Sequence, residues 1–243
     1  MTVRLDGIDA LIFDLDGVLT ETAGLHFRAW KRLFEDDLGE PFTEEHYRRY
    51  VDGKSRLDGL ESFLGSRGVA RPRGSEDDTA GSDTSWGLGK LKDRYYHALL
   101  DTEGVAPFPD AEALLRRASA VGLRIGMVSS SRNATDVLDA AGLAPFFDTS
   151  VDGRALQTVP LEGKPAPDLF LETARRLDVE PDRAAVFEDA RSGVEAGRRG
   201  GFRYVVGVAR DPDGGEDLED AGADIVVHRL DEVTFDRESL EDA

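Results

Sequence analysis

Two aspartates two residues apart, Asp14 and Asp16, follow the short apolar run 10–13 (ALIF) and precede Gly17. This spacing lets one carboxylate face a phosphorus atom while the other reaches the oxygen that bridges phosphorus to its leaving group. The first could act as a nucleophile and the second as its acid/base partner. Three more chemically able groups stand at similar breaks: Ser129 after the run 125–128, Glu188 and Asp189 after 184–187, and Lys164 just ahead of a helix start marked by Pro165 and Pro167. Four carboxylates brought together repel unless a cation neutralises them, and hard oxygen ligands without His or Cys among them suit Mg²⁺. Mg²⁺ and Lys164 would offset the charge on a phosphoryl group, with Ser129 and helix-terminal N–H groups holding its oxygens. Taken singly, each piece is more often a turn, a helix cap or a solvated charge. Their joint occurrence, in this order and at strand ends, carries the reading.

The elements that must position these residues are readable from periodicity. Apolar runs at 10–13, 125–128, 184–187 and 204–208, with a weaker one at 224–227, have the length of buried strands. Helical patterns lie between them at 111–120, 134–141, 168–177 and 192–199, with glycine at or near several of their ends. Strands alternating with helices predict a parallel sheet covered on both faces, with its ligand site beyond the carboxyl ends of the strands. The segment 21–101 differs: it shows helical patterns at 26–34, 44–50 and 91–100 but no convincing strand. It is expected to form a helical domain (21–101) inserted into a catalytic core made of 1–20 and 102–243. Within it, 71–86 (RPRGSEDDTAGSDTSW) is polar, acidic and rich in glycine, and reads as a flexible excursion.

Composition excludes several function classes. The formal charge of −19 argues against a nucleic-acid partner, which requires basic patches. The absence of cysteine removes disulfides, thiol nucleophiles and thiolate zinc sites. No apolar stretch is long enough for a bilayer, and Arg4, Asp6 and Asp9 interrupt any signal-peptide pattern, so a cytoplasmic monomer is the expectation. The acidity fits either a salt-rich cytoplasm or an arginine-favouring genome with an acidic tail.

The motifs now assemble into a resemblance. Phe13-Asp14-Leu15-Asp16-Gly17-Val18-Leu19-Thr20, Val128-Ser129-Ser130-Ser131, Lys164-Pro165-Ala166-Pro167-Asp168 and Phe187-Glu188-Asp189-Ala190-Arg191-Ser192-Gly193 resemble the four signatures of the haloacid dehalogenase superfamily. The resemblance covers nearly the whole chain and implies a Rossmann-like α/β core with a helical cap inserted after the first strand. Within the superfamily, His26 to Lys31 (HFRAWK) is similar to the first cap helix of the β-phosphoglucomutase-like subfamily. The resemblance implies that Gly53, Lys54, Ser55 and Arg56 form a cap loop gripping the phosphate that is not transferred, with Arg56 as the main cation. It implies that His26, Trp30 and Lys92 reach the substrate from the cap, and that Ser130, Ser131, Arg132 and Asn133 contact the sugar phosphate from the core. Mg²⁺ is implied at Asp14, the backbone carbonyl of Asp16, Glu188 and Asp189. The chain departs from the pattern at 71–86, which is long, and at Arg132, which stands where the family has a lysine.

The resulting expectation is a Mg²⁺-dependent phosphotransferase acting on a small sugar phosphate through an aspartyl-phosphate. Interconversion of β-glucose 1-phosphate and glucose 6-phosphate through a bisphosphate is favoured by the second set of cations, Arg56 and Lys92. A sugar-phosphate phosphatase is the alternative, and a non-catalytic phosphate-binding protein on the same fold is a third reading. Dehalogenation is disfavoured, because it needs neither a metal nor the proton that Asp16 supplies.

Overall fold

The chain opens with β1 (Val3–Leu5) and β2 (Ala10–Asp14); the computed structural model describes residues 2–158, 160–211 and 214–235. Helices α1 (Ala23–Arg32), α2 (Glu44–Tyr50), α3 (Arg56–Ser66) and α4 (Ser85–Glu103) follow, with a π-helical turn at Leu33–Asp37 continuing α1. Strands and helices then alternate as α5 (Pro109–Ala120), β3 (Arg124–Val128), α6 (Ala134–Ala140), β4 (Thr149–Val151), α7 (Ala155–Thr158), α8 (Asp168–Leu177) and β5 (Ala184–Glu188). The chain continues through α9 (Arg191–Arg199), β6 (Tyr204–Val208), α10 (Gly215–Ala221), β7 (Ile225–Val227) and β8 (Val233–Phe235). The end of the expected core, 236–243, lies outside the described residues.

Six strands form one parallel sheet in the order β4-β3-β2-β5-β6-β7, while β1 and β8 pair separately. The chain leaves β2 toward β3 on one side and later returns to place β5 on the other. Such a reversal of strand order opens a crevice at the carboxyl ends of the strands. Strand alternation sends Leu11 and Phe13 into an apolar layer with Leu114 and Leu115 of α5. Ala10 and Ile12 enter the opposite layer with Leu169 and Phe170 of α8. Burial of each such large side chain contributes about 1.5–3 kcal/mol, enough to hold the sheet as a rigid base for the loops at its end.

Register then sets the chemistry. Phe13 pairs with Phe187 and Asp14 with Val128. Asp14 therefore stands level with Glu188 and one residue below Ser129, on three adjacent strand ends.

A third apolar cluster lies among α1–α4. Phe34 packs against Phe42 and Phe63 at ring distances of 4.7 and 4.3 Å, and Trp30, Leu60 and Leu64 belong to the same group. Helix α3 is not anticipated by the sequence reading, which treats the chain around Arg56 as a loop. Its buried residues Leu60, Phe63 and Leu64 have helical spacing, and the Ser55 hydroxyl caps its start by accepting from the Asp58 N–H. Residues 71–84 hold neither helix nor strand, whereas Ser85 and Trp86 already begin α4, capped by Thr84.

Candidate active site

Lys164, fully buried, donates to both Asp14 Oδ1 and Glu188 Oε1. Its burial opposes a charge, but the two carboxylates outweigh that cost and keep the ammonium protonated. Carboxylate oxygens of Asp14, Glu188 and Asp189 lie within 4.8 Å of one another. Burial pushes Asp14 well above the usual carboxylate range, with Glu188 and Asp16 adding repulsion against the pull of Lys164. Burial likewise raises Asp189, reinforced by Asp52, Asp14 and Glu188. One ammonium does not balance this group, and its donors are all hard oxygens. The set fits a hard divalent cation.

Two glycines make the arrangement sterically attainable. A Cβ on Gly17, whose φ is +82°, would fall 1.8 Å from Asp189 Oδ2. A Cβ on Gly193 would meet Glu188 Oε1 at the same distance. Backbone closeness here is what lets the acids turn inward.

Asp16 turns away from this cluster. Thr22 Oγ1 donates to its Oδ1 at 2.5 Å and Ser129 Oγ to its Oδ2 at 3.4 Å. His26 Nε2 approaches Oδ1 to 3.4 Å without the alignment of a hydrogen bond. Burial would raise Asp16, but His26, Thr22 and Lys92 outweigh it and hold the carboxyl at about 2. Asp14 and Asp16 are thus adjacent acids in opposite electrostatic settings.

The helical wall faces them across one cleft. Asp14, Asp16, Ser129, Ser130, Ser131, Arg132 and Asp189 line it from the sheet side, and His26, Trp30, Gly53, Arg56 and Lys92 from the helices. Lys92 Nζ lies 2.7 Å from His26 Nδ1 and over the faces of Trp30 and Tyr96. Burial brings its pKa down to about 7, with Arg56 adding repulsion against the pull of Asp93 and Asp16. Arg56 Nη1 pairs with Asp93 Oδ2 at 3.0 Å, and Asn133 donates to the other oxygen of Asp93 at 2.9 Å. Arg132 pairs with Glu76 of the 71–84 segment at 2.9 Å. Ser55 and Lys164 border a neighbouring hollow, and Asn133 sits behind the cleft wall, donating its backbone N–H to Ser131 Oγ.

Two core serines tie the 51–54 turn to the sheet edge. Ser130 donates to the Gly53 carbonyl at 2.7 Å and Ser192 to the Asp52 carbonyl at 2.8 Å. Sequence reasoning passes over Thr22, Asp52, Asp93 and Ser192. Asp93 adjoins Lys92 and Ser192 lies inside the fourth signature, but no spacing rule marks either as a partner of this site. Asp52 is half-buried beside the acidic cluster; loss of solvent first, then the nearby Glu188 and Asp16, bring it up to about 7 against a hydrogen bond from Tyr47.

The sheet order, the strand-end acids and the helical insertion together define a class, which sequence comparison also identifies. The family model for haloacid dehalogenase-like hydrolases matches residues 8–201, and the chain belongs to that family. It is 46% identical to the beta-phosphoglucomutase of Mycobacterium bovis over 239 residues, covering 93% of this chain and 91% of that protein. It is 30% identical to a phosphorylated carbohydrates phosphatase of Thermotoga maritima, covering 89% and 92% of the two chains. Among solved structures, the beta-phosphoglucomutase of Clostridium difficile superposes with a TM-score of 0.73 at 28% identity, covering 92% of each chain. No described helix is long and apolar enough to cross a membrane.

Proposed function

We propose that the protein interconverts β-glucose 1-phosphate and glucose 6-phosphate through a bisphosphate, by way of a phosphorylated Asp14. The observation that carries this reading is the single cleft that joins the two aspartates to a second group of cations, Arg56 and Lys92 on the helical wall and Arg132 at the sheet edge. A substrate with phosphoryl groups at both ends needs such a pocket, whereas hydrolysis of a monophosphate does not. The 46% identity to a beta-phosphoglucomutase supports the same choice. We take 21–101 as a cap domain over a core of 1–20 and 102–243, and the cytoplasm as its place of work.

In this mechanism an Asp14 carboxylate oxygen attacks phosphorus, and the bond from phosphorus to the sugar oxygen breaks. Asp16, ionised at rest and protonated by the sugar hydroxyl whose attack on phosphorylated Asp14 made the bisphosphate, returns a proton to that oxygen as it leaves. In the return step a different sugar hydroxyl attacks the phosphoryl group on Asp14, Asp16 accepts its proton, and the Asp14 carboxylate is restored. Lys164 holds Asp14 oriented and offsets its charge, and Ser129 orients Asp16. Asp14, Glu188, Asp189 and the Asp16 backbone would hold Mg²⁺, which when bound supplies compensation for the charge of the phosphoryl oxygens. The cap residues His26 and Lys92 poise Asp16 for proton exchange, and the Ser130 and Ser192 contacts keep the cap seated against water.

Phosphorus NMR of β-glucose 1-phosphate with Mg²⁺ and catalytic bisphosphate tests this. Glucose 6-phosphate is the expected product. Free phosphate without glucose 6-phosphate would instead support the phosphatase reading, for which the 30% identity to a carbohydrate phosphatase is the specific observation.

A further inference from the structure

Asp93 of α4 stands at the junction of cap and core with both carboxylate oxygens in use. One forms an ion pair with Arg56 Nη1 at 3.0 Å and the other accepts from Asn133 Nδ2 at 2.9 Å. Arg56 starts α3 and Asn133 precedes α6, so a single carboxylate joins a cap helix start to a core loop. The side chain of Arg56 is only 15% exposed, and its Nε is buried with no hydrogen-bond partner. Its position against α4 depends on Gly89, where a Cβ would come within 3.2 Å of that Nε. A buried donor without a partner is costly, by about 1–3 kcal/mol, and is commonly held for a ligand. Arg56 also lines the cleft that holds Asp14 and Asp16.

From these contacts we infer that Asp93 is a positioning and specificity residue for the second anionic group of a doubly phosphorylated sugar. It fixes one edge of the Arg56 guanidinium so that the rest meets the distal phosphoryl group, and it does so only while Asn133 holds the cap against the core. Recognition of the distal group and closure of the cleft then share one carboxylate. This rests on the proposed function for the identity of the substrate, but its own content is the orientation of Arg56.

The alternative role for Asp93 is a simple countercharge, which has the opposite sign. A carboxylate that merely competes with phosphate for Arg56 would, on removal, tighten anion binding. A positioning carboxylate would weaken it.

The test is Asp93→Asn, which keeps volume, with glucose 1,6-bisphosphate and acetyl phosphate as paired substrates. The expected result is a rise of about tenfold in the ratio of KM for the bisphosphate to KM for acetyl phosphate, the scale of one charge-assisted hydrogen bond. The kcat for the bisphosphate should stay within about twofold, and thermal melting should confirm a folded variant. An unchanged or lowered KM ratio would overturn the assignment. Product analysis of the wild type separates the two readings: free phosphate alone would remove the mutase function, while the KM ratio would still decide the role of Asp93, because a phosphatase turns over the same two substrates.

Discussion

The two walls of the cleft are built on different physics. On the sheet side, Asp14, Lys164 and Glu188 are almost wholly buried; strand register fixes where Asp14 and Glu188 can be, and Lys164 is held between their carboxylates. On the helical side, Arg56 leans on Asp93 within the helical segment, and Glu76 reaches across the boundary to Arg132 of the core. The reacting group is therefore set by backbone pairing, and the reading of the substrate by side-chain contacts of the helical segment and the loops it meets. Variants that touch the first wall should abolish chemistry, and those that touch the second should shift affinity.

The largest effect is expected at Asp14. Asp14→Asn should lose all turnover, since an amide cannot form the acyl phosphate, while the fold persists because the side chain is nearly isosteric. Incorporation of label from phosphoryl donor into the protein is the direct measurement, and any labelled intermediate would sink the assignment. Next stands Asp16→Ala, with an expected fall of about 10²–10⁴ in kcat, the usual scale for losing a general acid/base. A near-normal rate would show that the proton is handled elsewhere.

These core positions were also the readable ones, and the reason is physical. A strand buried on both faces is a short apolar run, so the first polar residue after it marks the strand end and the site together. Asp14, Ser129 and Glu188 are found this way. Lys164 is marked by the prolines that follow it. The strands read at 10–13, 125–128, 184–187 and 204–208 agree with β2, β3, β5 and β6 to within a residue at each end. Strands β1, β4 and β8 escaped because each is three residues long and includes polar side chains, whereas the equally short β7 is wholly apolar and was read at 224–227. Helix α3 escaped because Gly59 and Gly65 dilute its apolar stripe. Thr22, Asp93 and Ser192 had no local signal, since each matters through a partner that only the folded chain brings near.

An intermediate effect is expected where the walls meet. Gly53 has φ +69°, and a Cβ there would fall 2.3 Å from Ser192 Oγ and 2.9 Å from Ala190 Cβ. Gly53→Ala therefore strains the backbone and pushes the turn off the core. A loss of about 1–2 kcal/mol in stability is expected from the strained φ alone, and the displaced turn should raise KM with less change in kcat. Thermal melting and steady-state kinetics together read it. If kcat fell while KM held, the turn would belong to the reacting wall instead.

The smallest effect sharpens the comparison most, because its sign opposes that of Asp93→Asn. Glu76 is 58% exposed and its partner Arg132 is 31% exposed, so their pair is solvent-screened and contributes at most about 1 kcal/mol. Glu76 makes no second bond to the core comparable to the one Asp93 makes to Asn133 among the described contacts; its backbone carbonyl accepts from Lys90 within the cap. Its carboxylate can therefore orient little and mainly occupies Arg132. Glu76→Gln should leave melting nearly unchanged and lower KM for a sugar phosphate by up to about fivefold, the equivalent of 1 kcal/mol. The gain should fade in about 1 M salt, where charges more than about 3 Å apart in solvent are screened. A rise in KM for this variant would mean that the 71–84 segment positions Arg132 as Asp93 positions Arg56, and the contrast between a held cation and a merely covered one would collapse.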